Sequence, residues 1–293
     1  MTKPVLLASR IGAPVLLAAI AAAAVCAGLA LAGRAPSSVA VGALVVLFVT
    51  IGIGVGLPSS GVFARPVLRA QTGRPEVALT FDDGPHPLWT PPILDLLESR
   101  GHRATFFVVG ARASENPGLL TDMARRGHEI ANHTWRHSYA TVWVNPRVLA
   151  DELDRASNLV ERATGSRPHW FRPPVGLLSP RIAPALRMAG LRLVAWTASA
   201  RDGVRHTTVQ KALSRLDGAL TPGAILVLHD APLRGDAEPI ARSVLGPLLD
   251  RMDALGLRSV TLSELCTATG DDGQRTSAGS PLAPATRQAN LKA

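Results

Sequence analysis

The sequence has little cysteine, few aromatic residues and few charges. Its 293 residues include two cysteines, Cys26 and Cys266, too few for a disulfide framework or a cysteine-rich zinc module. Charged residues make up 18% and hydrophobic residues 47%, which excludes a largely disordered polyelectrolyte. One tyrosine, and no basic face with interleaved aromatic side chains, argue against nucleic-acid binding.

Positive charge is concentrated near the N-terminus. The formal net charge is +9, and residues 1–75 hold six basic residues and no acidic one. These residues flank apolar segments, so we expect membrane lipid rather than nucleic acid as the anionic partner. The sequence indicates no obligate protein partner.

Two long apolar runs, residues 11–33 and 39–57, predict a transmembrane helical hairpin. At about 1.5 Å per residue, each is long enough to cross a bilayer core of about 30 Å. A cleaved signal peptide is an alternative for the first run. A buried pair of soluble helices is the other alternative, but neither run has a polar face.

The charges around this hairpin predict its orientation. Lys3 and Arg10 precede the spans and Arg65 and Arg69 follow them, whereas Arg34 lies between them. Two spans put both ends of the hairpin on one side. The positive-inside rule then predicts that the C-terminal domain lies in the cytoplasm.

Residues 73–267 have the pattern of a globular α/β domain, and residues 268–293 that of a flexible tail. Helical patterns alternate with short apolar runs at 77–81, 104–109, 129–132, 169–172, 191–196, 224–229 and 258–261. Alternating strands and helices predict a parallel sheet. Seven repeats in this length favour a small, incomplete β/α barrel, with an open doubly wound sheet as the alternative.

Polar residues follow several predicted strands at their carboxyl ends, where β/α barrels build their active sites. Asp82 and Asp83 end the first strand, and their side chains diverge on an extended segment. One carboxylate could therefore bind a metal while the other faces substrate. An Asp-Gly turn with a helix cap is the structural alternative.

His133 and His137 follow the third strand at a spacing of four residues. We expect them to share one face of a helical turn, which would let two neutral imidazoles converge on one cation. Two exposed histidines are the alternative for this motif alone. Together with an aspartate they form a ligand set that leaves coordination positions open, as catalytic zinc sites do.

Three further motifs contain groups that could take part in catalysis. Arg172 ends the fourth strand and could hold a carboxylate, and the double proline after it leaves the amide of Val175 free to donate. His229 ends the sixth strand and could donate a proton, with Asp202 orienting it. The alternatives are a proline-rich loop, a core histidine and a turn aspartate.

These motifs together resemble the polysaccharide deacetylases, also called the NodB homology group or carbohydrate esterase family 4. The resemblance lies in TFDDG at 80–84, HTWRH at 133–137, RPPVG at 172–176 and LVLHD at 226–230. It implies a distorted (β/α)7 barrel, a divalent metal, usually zinc, and hydrolysis of the N-acetyl group of an amino sugar.

The resemblance also implies a role for each matching residue. Asp83, His133 and His137 are expected as metal ligands, Asp82 as general base with Arg172 tethering it, His229 as general acid oriented by Asp202, and the Val175 N–H as oxyanion donor. Trp196 and Leu228 are expected to contact substrate.

The sequence departs from the family pattern at two places. Val175 stands where the family usually has an aromatic residue, and Ser199 and Gly203 stand where an aspartate and a tryptophan of the fourth motif might be. The first change removes a stacking surface for sugar, and the second puts the role of Asp202 in question.

Several functions remain open at this point. The expected substrate is an N-acetylated glycan, of the peptidoglycan or chitooligosaccharide kind. A polyprenyl-linked saccharide, a non-sugar amide and a non-catalytic carbohydrate-binding module are alternatives. The family resemblance favours an extracytoplasmic domain, against the charge pattern.

Overall fold

The protein is described by a computed structural model that covers residues 5–204, 206–232, 235 and 237–267, with side chains from residue 14 onward except that of Val142. The predicted tail, residues 268–293, lies outside the described residues. Neither Cys26 nor Cys266 forms a disulfide bond within the described residues.

Two apolar helices come first. Helix α1 spans Val5–Leu31, and helix α2 spans Ser37–Gly56 and packs along it. The segments Pro14–Leu31 and Ser37–Gly56 are long and apolar enough to cross a membrane, and 11% and 6% of their residues are buried. The two helices could therefore form the predicted transmembrane hairpin.

Eight strands of the described chain pair in parallel in one curled sheet. They are β1 (Glu76–Asp82), β2 (Ala104–Val108), β3 (Glu129–Asn132), β4 (Trp170–Phe171), β5 (Arg192–Leu193), β6 (Ala198–Ser199), β7 (Ile225–His229) and β8 (Arg258–Ser259). Their order is β5-β4-β3-β2-β1-β7-β6, and β8 pairs with the start of β1. This curled half-barrel confirms the predicted α/β barrel class.

Within the described residues, eight α-helices connect and cover these strands. They are α3 (Thr90–Ser99), α4 (Gly110–Glu115), α5 (Pro117–Arg125), α6 (Pro146–Thr164), α7 (Ile182–Ala189), α8 (Val209–Asp217), α9 (Ala241–Ala254) and α10 (Leu262–Thr267). The longest, α6, shows why its ends lie where they do: the side chain of Asn145 accepts a hydrogen bond from the Arg147 N–H, and Gly165 adopts the left-handed conformation that ends the helix.

The predicted fifth strand, 191–196, is wrong in its extent. Strand β5 ends at Leu193, and β6 is a separate short strand that pairs with β7. The chain changes partners here: the Val194 N–H still donates to Phe171 of β4, whereas the Thr197 N–H donates to Ile225 of β7. Between these points the connection from the apolar helices pairs with the free edge, where the Val67 N–H donates to the Leu193 carbonyl and the Ala195 N–H donates to the Val67 carbonyl.

The same connection lies across the gap between the two ends of the sheet. Val67 bridges to Val194 beside β5, and Arg69 bridges to Ala224 just before β7. The Arg69 side chain adds a hydrogen bond to the Pro222 carbonyl at 2.7 Å. The segment that follows the apolar helices is therefore part of the barrel wall.

The core lies between the sheet and its helices. Phe81 and Phe106 stack in it with ring centroids 5.0 Å apart, and every residue of β1 and β2 is buried. Strands fixed in this way on both faces hold the loops at their carboxyl ends in place.

Candidate active site

The carboxyl ends of the strands bring the singled-out residues to one edge of the sheet. The register pairs Asp82 with His229 across β1 and β7, and Asp82 with Phe107 across β1 and β2. Asn132, just before His133, pairs with Phe171, just before Arg172. Parallel pairing therefore gathers four sequence motifs around one opening.

Asp83, His133 and His137 form a cluster at this edge. Each offers a ligand atom, and these atoms all lie within 4.8 Å of one another. The Asp83 Oδ1 is 3.4 Å from the His133 Nε2 and 3.0 Å from the His137 Nε2. Burial raises the pKa of Asp83, but the imidazoles of His133 and His137 beside the carboxylate outweigh this effect and hold that pKa well below its ordinary value.

The two histidines converge through a loop, and the predicted helical turn is wrong. Residues 133–137 lie in no helix, and Thr134 and His137 have φ of +67° and +51°. The Thr134 Oγ1 accepts a hydrogen bond from the His137 N–H at 2.9 Å, and the Asn132 side chain accepts one from the Thr134 N–H. This hydrogen-bonded turn brings the imidazole centroids to 4.9 Å.

The donor set fits a divalent cation. The His133 Nδ1 lies 2.7 Å from the Arg172 carbonyl, which can only accept, so Nδ1 carries the proton. In the neutral ring Nε2 then presents a lone pair toward the Asp83 carboxylate, and a cation bound between these two donors would relieve the repulsion of their lone pairs. The Asp83 Oδ1 is buried, and no described residue donates a hydrogen bond to it.

Asp82 faces a buried arginine. The Arg172 Nη1 donates to the Asp82 Oδ1 at 2.6 Å and to the Thr80 Oγ1 at 2.9 Å, while Nη2 donates to the Ala195 carbonyl. The guanidinium lies 4.0 Å from the centre of the Phe107 ring. Because Arg172 is wholly buried, these contacts hold Asp82 in one orientation.

Asp202 holds His229 on the opposite side of the opening. Its Oδ1 lies 2.7 Å from the His229 Nδ1, and its Oδ2 accepts from the His229 backbone N–H at 2.8 Å. Burial lowers the pKa of His229, but the charge and hydrogen bond of Asp202, with Asp82 and Asp83 farther away, raise it to about 10. The imidazole therefore keeps its proton at neutral pH.

Val175 lies at the tip of a strained loop. Its φ is +48°, a left-handed conformation that is costly for a β-branched residue, and its side chain is exposed. Gly176 follows with φ +73°, and a Cβ there would come within 2.6 Å of the Trp196 ring. Trp196 thus supports this loop from below.

The two residues expected to contact substrate differ in position. Trp196 is half-buried beside Gly176 at the opening. Leu228 is wholly buried in the main hydrophobic core, so its predicted contact with substrate is wrong. The reason is strand alternation: Leu226 and Leu228 point to the helix-covered face, as Leu79 and Phe81 do.

The two departures from the family pattern have simple local consequences. A Cβ on Gly203 would lie 3.6 Å from the His229 ring, so a larger residue there would cover the imidazole. The Ser199 Oγ accepts from the Arg201 N–H and helps shape the turn that carries Asp202. Asp202 reaches His229 without either of the two residues that the family pattern has there.

Sequence reasoning missed a second group of residues below the opening. Asp230 is wholly buried, and its Oδ2 accepts from the Thr90 Oγ1 at 2.6 Å. Arg112 donates to the Asp83 carbonyl at 2.7 Å and to the Pro232 carbonyl at 3.0 Å, joining the loops after β1 and β7. The sequence did offer one signal for this group, because Asp230 directly follows His229 in the chain.

Comparison with known proteins extends these observations. Residues 69–194 match the family model described as polysaccharide deacetylase. A chitooligosaccharide deacetylase of Sinorhizobium fredii is 35% identical over 168 residues, which is 57% of this chain and 78% of the relative. This chain belongs to the polysaccharide deacetylase family. Its relatives in this family are named as deacetylases, and the chain is accordingly a hydrolase that acts on amide bonds.

Two further polysaccharide deacetylase relatives are informative. A peptidoglycan-N-acetylglucosamine deacetylase of Bacillus cereus is 34% identical over 191 residues, or 64% of this chain and 87% of that one. A family 4 acetyl xylan esterase from Clostridium thermocellum, solved in complex with a cobalt ion, superposes with a TM-score of 0.60 at 30% identity, covering 67% of this chain and 92% of that one.

Proposed function

We propose that this enzyme removes N-acetyl groups from an amino-sugar glycan and releases acetate and a free amine. The observation that carries the proposal is the Asp83–His133–His137 cluster, with a tethered carboxylate on one side and a protonated imidazole on the other. Relatives named for chitooligosaccharide and peptidoglycan deacetylation support this substrate class.

Asp83, His133 and His137 would hold the cation. Mixed carboxylate and imidazole ligands suit zinc, and three protein ligands leave positions open for reactants. When bound, a divalent cation supplies Lewis acidity to the substrate carbonyl at this point.

The chain's own residues supply the proton transfers. Asp82, fixed by Arg172, takes a proton from the attacking water. The backbone N–H of Val175 donates to the oxygen that gains charge as the carbonyl carbon becomes tetrahedral. His229 gives its proton to the departing nitrogen, which is too basic to leave as an anion, and Asp202 stabilises the imidazolium.

Acetate release is the direct test. The full chain, reconstituted with zinc, should release acetate from chitooligosaccharides or peptidoglycan fragments and lose this activity with a chelator. Metal-independent release, or binding of the glycan without release, would overturn the proposal and favour a carbohydrate-binding module.

We also propose that α1 and α2 anchor the enzyme in the cell membrane, as a hairpin with both ends on one side. Their length and apolar composition support the anchor. We retain the extracytoplasmic placement that the family resemblance favours for residues 73–267. Reporter fusions after Arg74 that give a cytoplasmic signal would overturn that placement.

A further inference from the structure

The end of α2 is bound to the loop that carries Val175. The Leu178 N–H donates to the Val55 carbonyl at 3.0 Å, one residue before α2 ends at Gly56. A Cβ on Gly176 would lie 3.3 Å from the Pro58 side chain, just after α2. The apolar hairpin and the rim of the active site are thus in direct contact.

This contact fixes the height of the loop relative to a bilayer. The 20 residues of α2 span about 30 Å, which matches a hydrocarbon core. Val55 then lies at the boundary of that core, and the loop hydrogen-bonded to it lies at the membrane surface. Leu178 is itself buried in a core cluster with Ile182 and Phe171, and Phe63, just after α2, packs against the same cluster, so the chain that leaves α2 is held against the domain at this loop.

The same edge of the domain carries most of its exposed apolar side chains. After residue 72 the described chain exposes eight large hydrophobic residues, and six of them lie in loops after strand ends or in the first turn of α6. The six are Leu88, Tyr139, Trp143, Val148, Val175 and Val204. Met188 and Leu255 lie at the ends of helices that run toward the opposite edge.

We propose that this apolar rim lies on the bilayer and that the substrate is a membrane-anchored amphiphile, an N-acetylated saccharide joined to a lipid. The inference rests on the proposed deacetylase function and names its substrate class. Exposed aromatic and aliphatic side chains suit the interface, where tyrosine and tryptophan rings are enriched. An opening at this level meets the sugar of a lipid-linked saccharide where it leaves the headgroup layer.

The first test compares two substrates on the full chain in vesicles. One is N-acetylglucosamine joined to an isoprenoid diphosphate in the bilayer, and the other is a soluble chitooligosaccharide. In the double variant Leu88→Glu/Trp143→Glu we expect acetate release from the lipid-linked substrate to fall at least about tenfold, because charges are expelled from the interface. Release from the soluble substrate should stay within about twofold.

Leu255→Glu is the matched control, since Leu255 is 59% exposed and Leu88 58%. It should leave both rates unchanged. Equal losses on both substrates, or no loss on either, would overturn the rim proposal while the deacetylase function stands. A wild-type enzyme that releases no acetate from either substrate would instead overturn the proposed function.

The second test does not depend on activity. Lipids brominated near the headgroup should quench the fluorescence of Trp143, measured as the difference between the wild type and Trp143→Phe in the same vesicles. If the wild type and Trp143→Phe are quenched equally, Trp143 lies in water, and the proposal is overturned.

Discussion

Asp202 binds His229 at two points, through Oδ1 to the ring Nδ1 at 2.7 Å and through Oδ2 to the backbone N–H at 2.8 Å. The aspartate therefore fixes both the position of the strand end and the orientation of the imidazole. Its side chain is 1% exposed, so its charge acts on His229 with little screening.

Asp202→Asn should impair general acid catalysis by His229 without removing the imidazole. The pKa of His229 is about 10 because Asp202 raises it against burial, so the imidazole is protonated below that pH and neutral above it. Removing the charge lowers this pKa, and the alkaline limb of kcat/KM should move to lower pH. We expect kcat to fall about 10²–10⁴-fold at neutral pH, the range for general acid catalysis.

Asp253→Asn is the control for that experiment. Asp253 also pairs with a histidine, His102, at 3.3 Å, but on another part of the domain. The pH profile of kcat/KM for Asp253→Asn should match that of the wild type. An Asp202→Asn profile with an unmoved alkaline limb would show that His229 is not the group that titrates there.

Asp82→Asn should separate metal binding from turnover. An asparagine oxygen can still accept from Arg172, so the fold and the neighbouring cluster should persist, while the base is lost. Acetate release should fall about 10²–10⁴-fold with the metal content unchanged by elemental analysis. Asp83→Asn, in contrast, should lose both acetate release and bound metal. Turnover of Asp82→Asn at the wild-type rate would overturn the base assignment.

His137→Ala should lower the metal content of the enzyme. Its Nε2 is 3.0 Å from the Asp83 Oδ1, so the variant removes one of three converging donors. Because a bound ion stabilises the folded state, a chelator should lower the Tm of the wild type and leave that of His137→Ala little changed. The exposed His206 offers a control, and His206→Ala should behave as the wild type. Equal metal content in His137→Ala would remove it from the ligand set.

Much of this site could be predicted from the sequence because its motifs follow strands. Asp82 and Asp83 end an apolar run, and His229 ends another, so parallel pairing was enough to predict that they meet. The helical turn for His133 and His137 was wrong because spacing alone does not reveal the left-handed backbone at Thr134. Several residues of the site loops share such a conformation, including Asp83 and Val175.

Contacts between distant segments could not be predicted in this way. Nothing in the apolar run before Gly56 signals that the Val55 carbonyl accepts from Leu178. Likewise, no local pattern records that Val67 pairs with the chain at the end of β5, through hydrogen bonds with Leu193 and Ala195. Periodicity reports which face of an element is buried, whereas these contacts depend on how the whole chain is arranged.

Gly84→Ala should disturb the loop that holds Asp83. An added Cβ would overlap both carboxylate oxygens of Asp230, and Asp230 is wholly buried with its Oδ2 bound to Thr90. The carboxylate cannot swing into solvent, so the loop must shift. We expect the free energy of unfolding to fall by about 1–3 kcal/mol, the usual cost of overpacking, and activity to fall with it.

Gly118→Ala is the matched control for this substitution. Gly118 lies in α5 with nothing within 4 Å of an added Cβ, so stability should be unchanged or slightly raised. Denaturant unfolding of both variants, followed by acetate release, measures the difference. If Gly84→Ala unfolds at the wild-type midpoint and keeps full activity, Asp230 has room to move and does not hold the Asp83 loop in place.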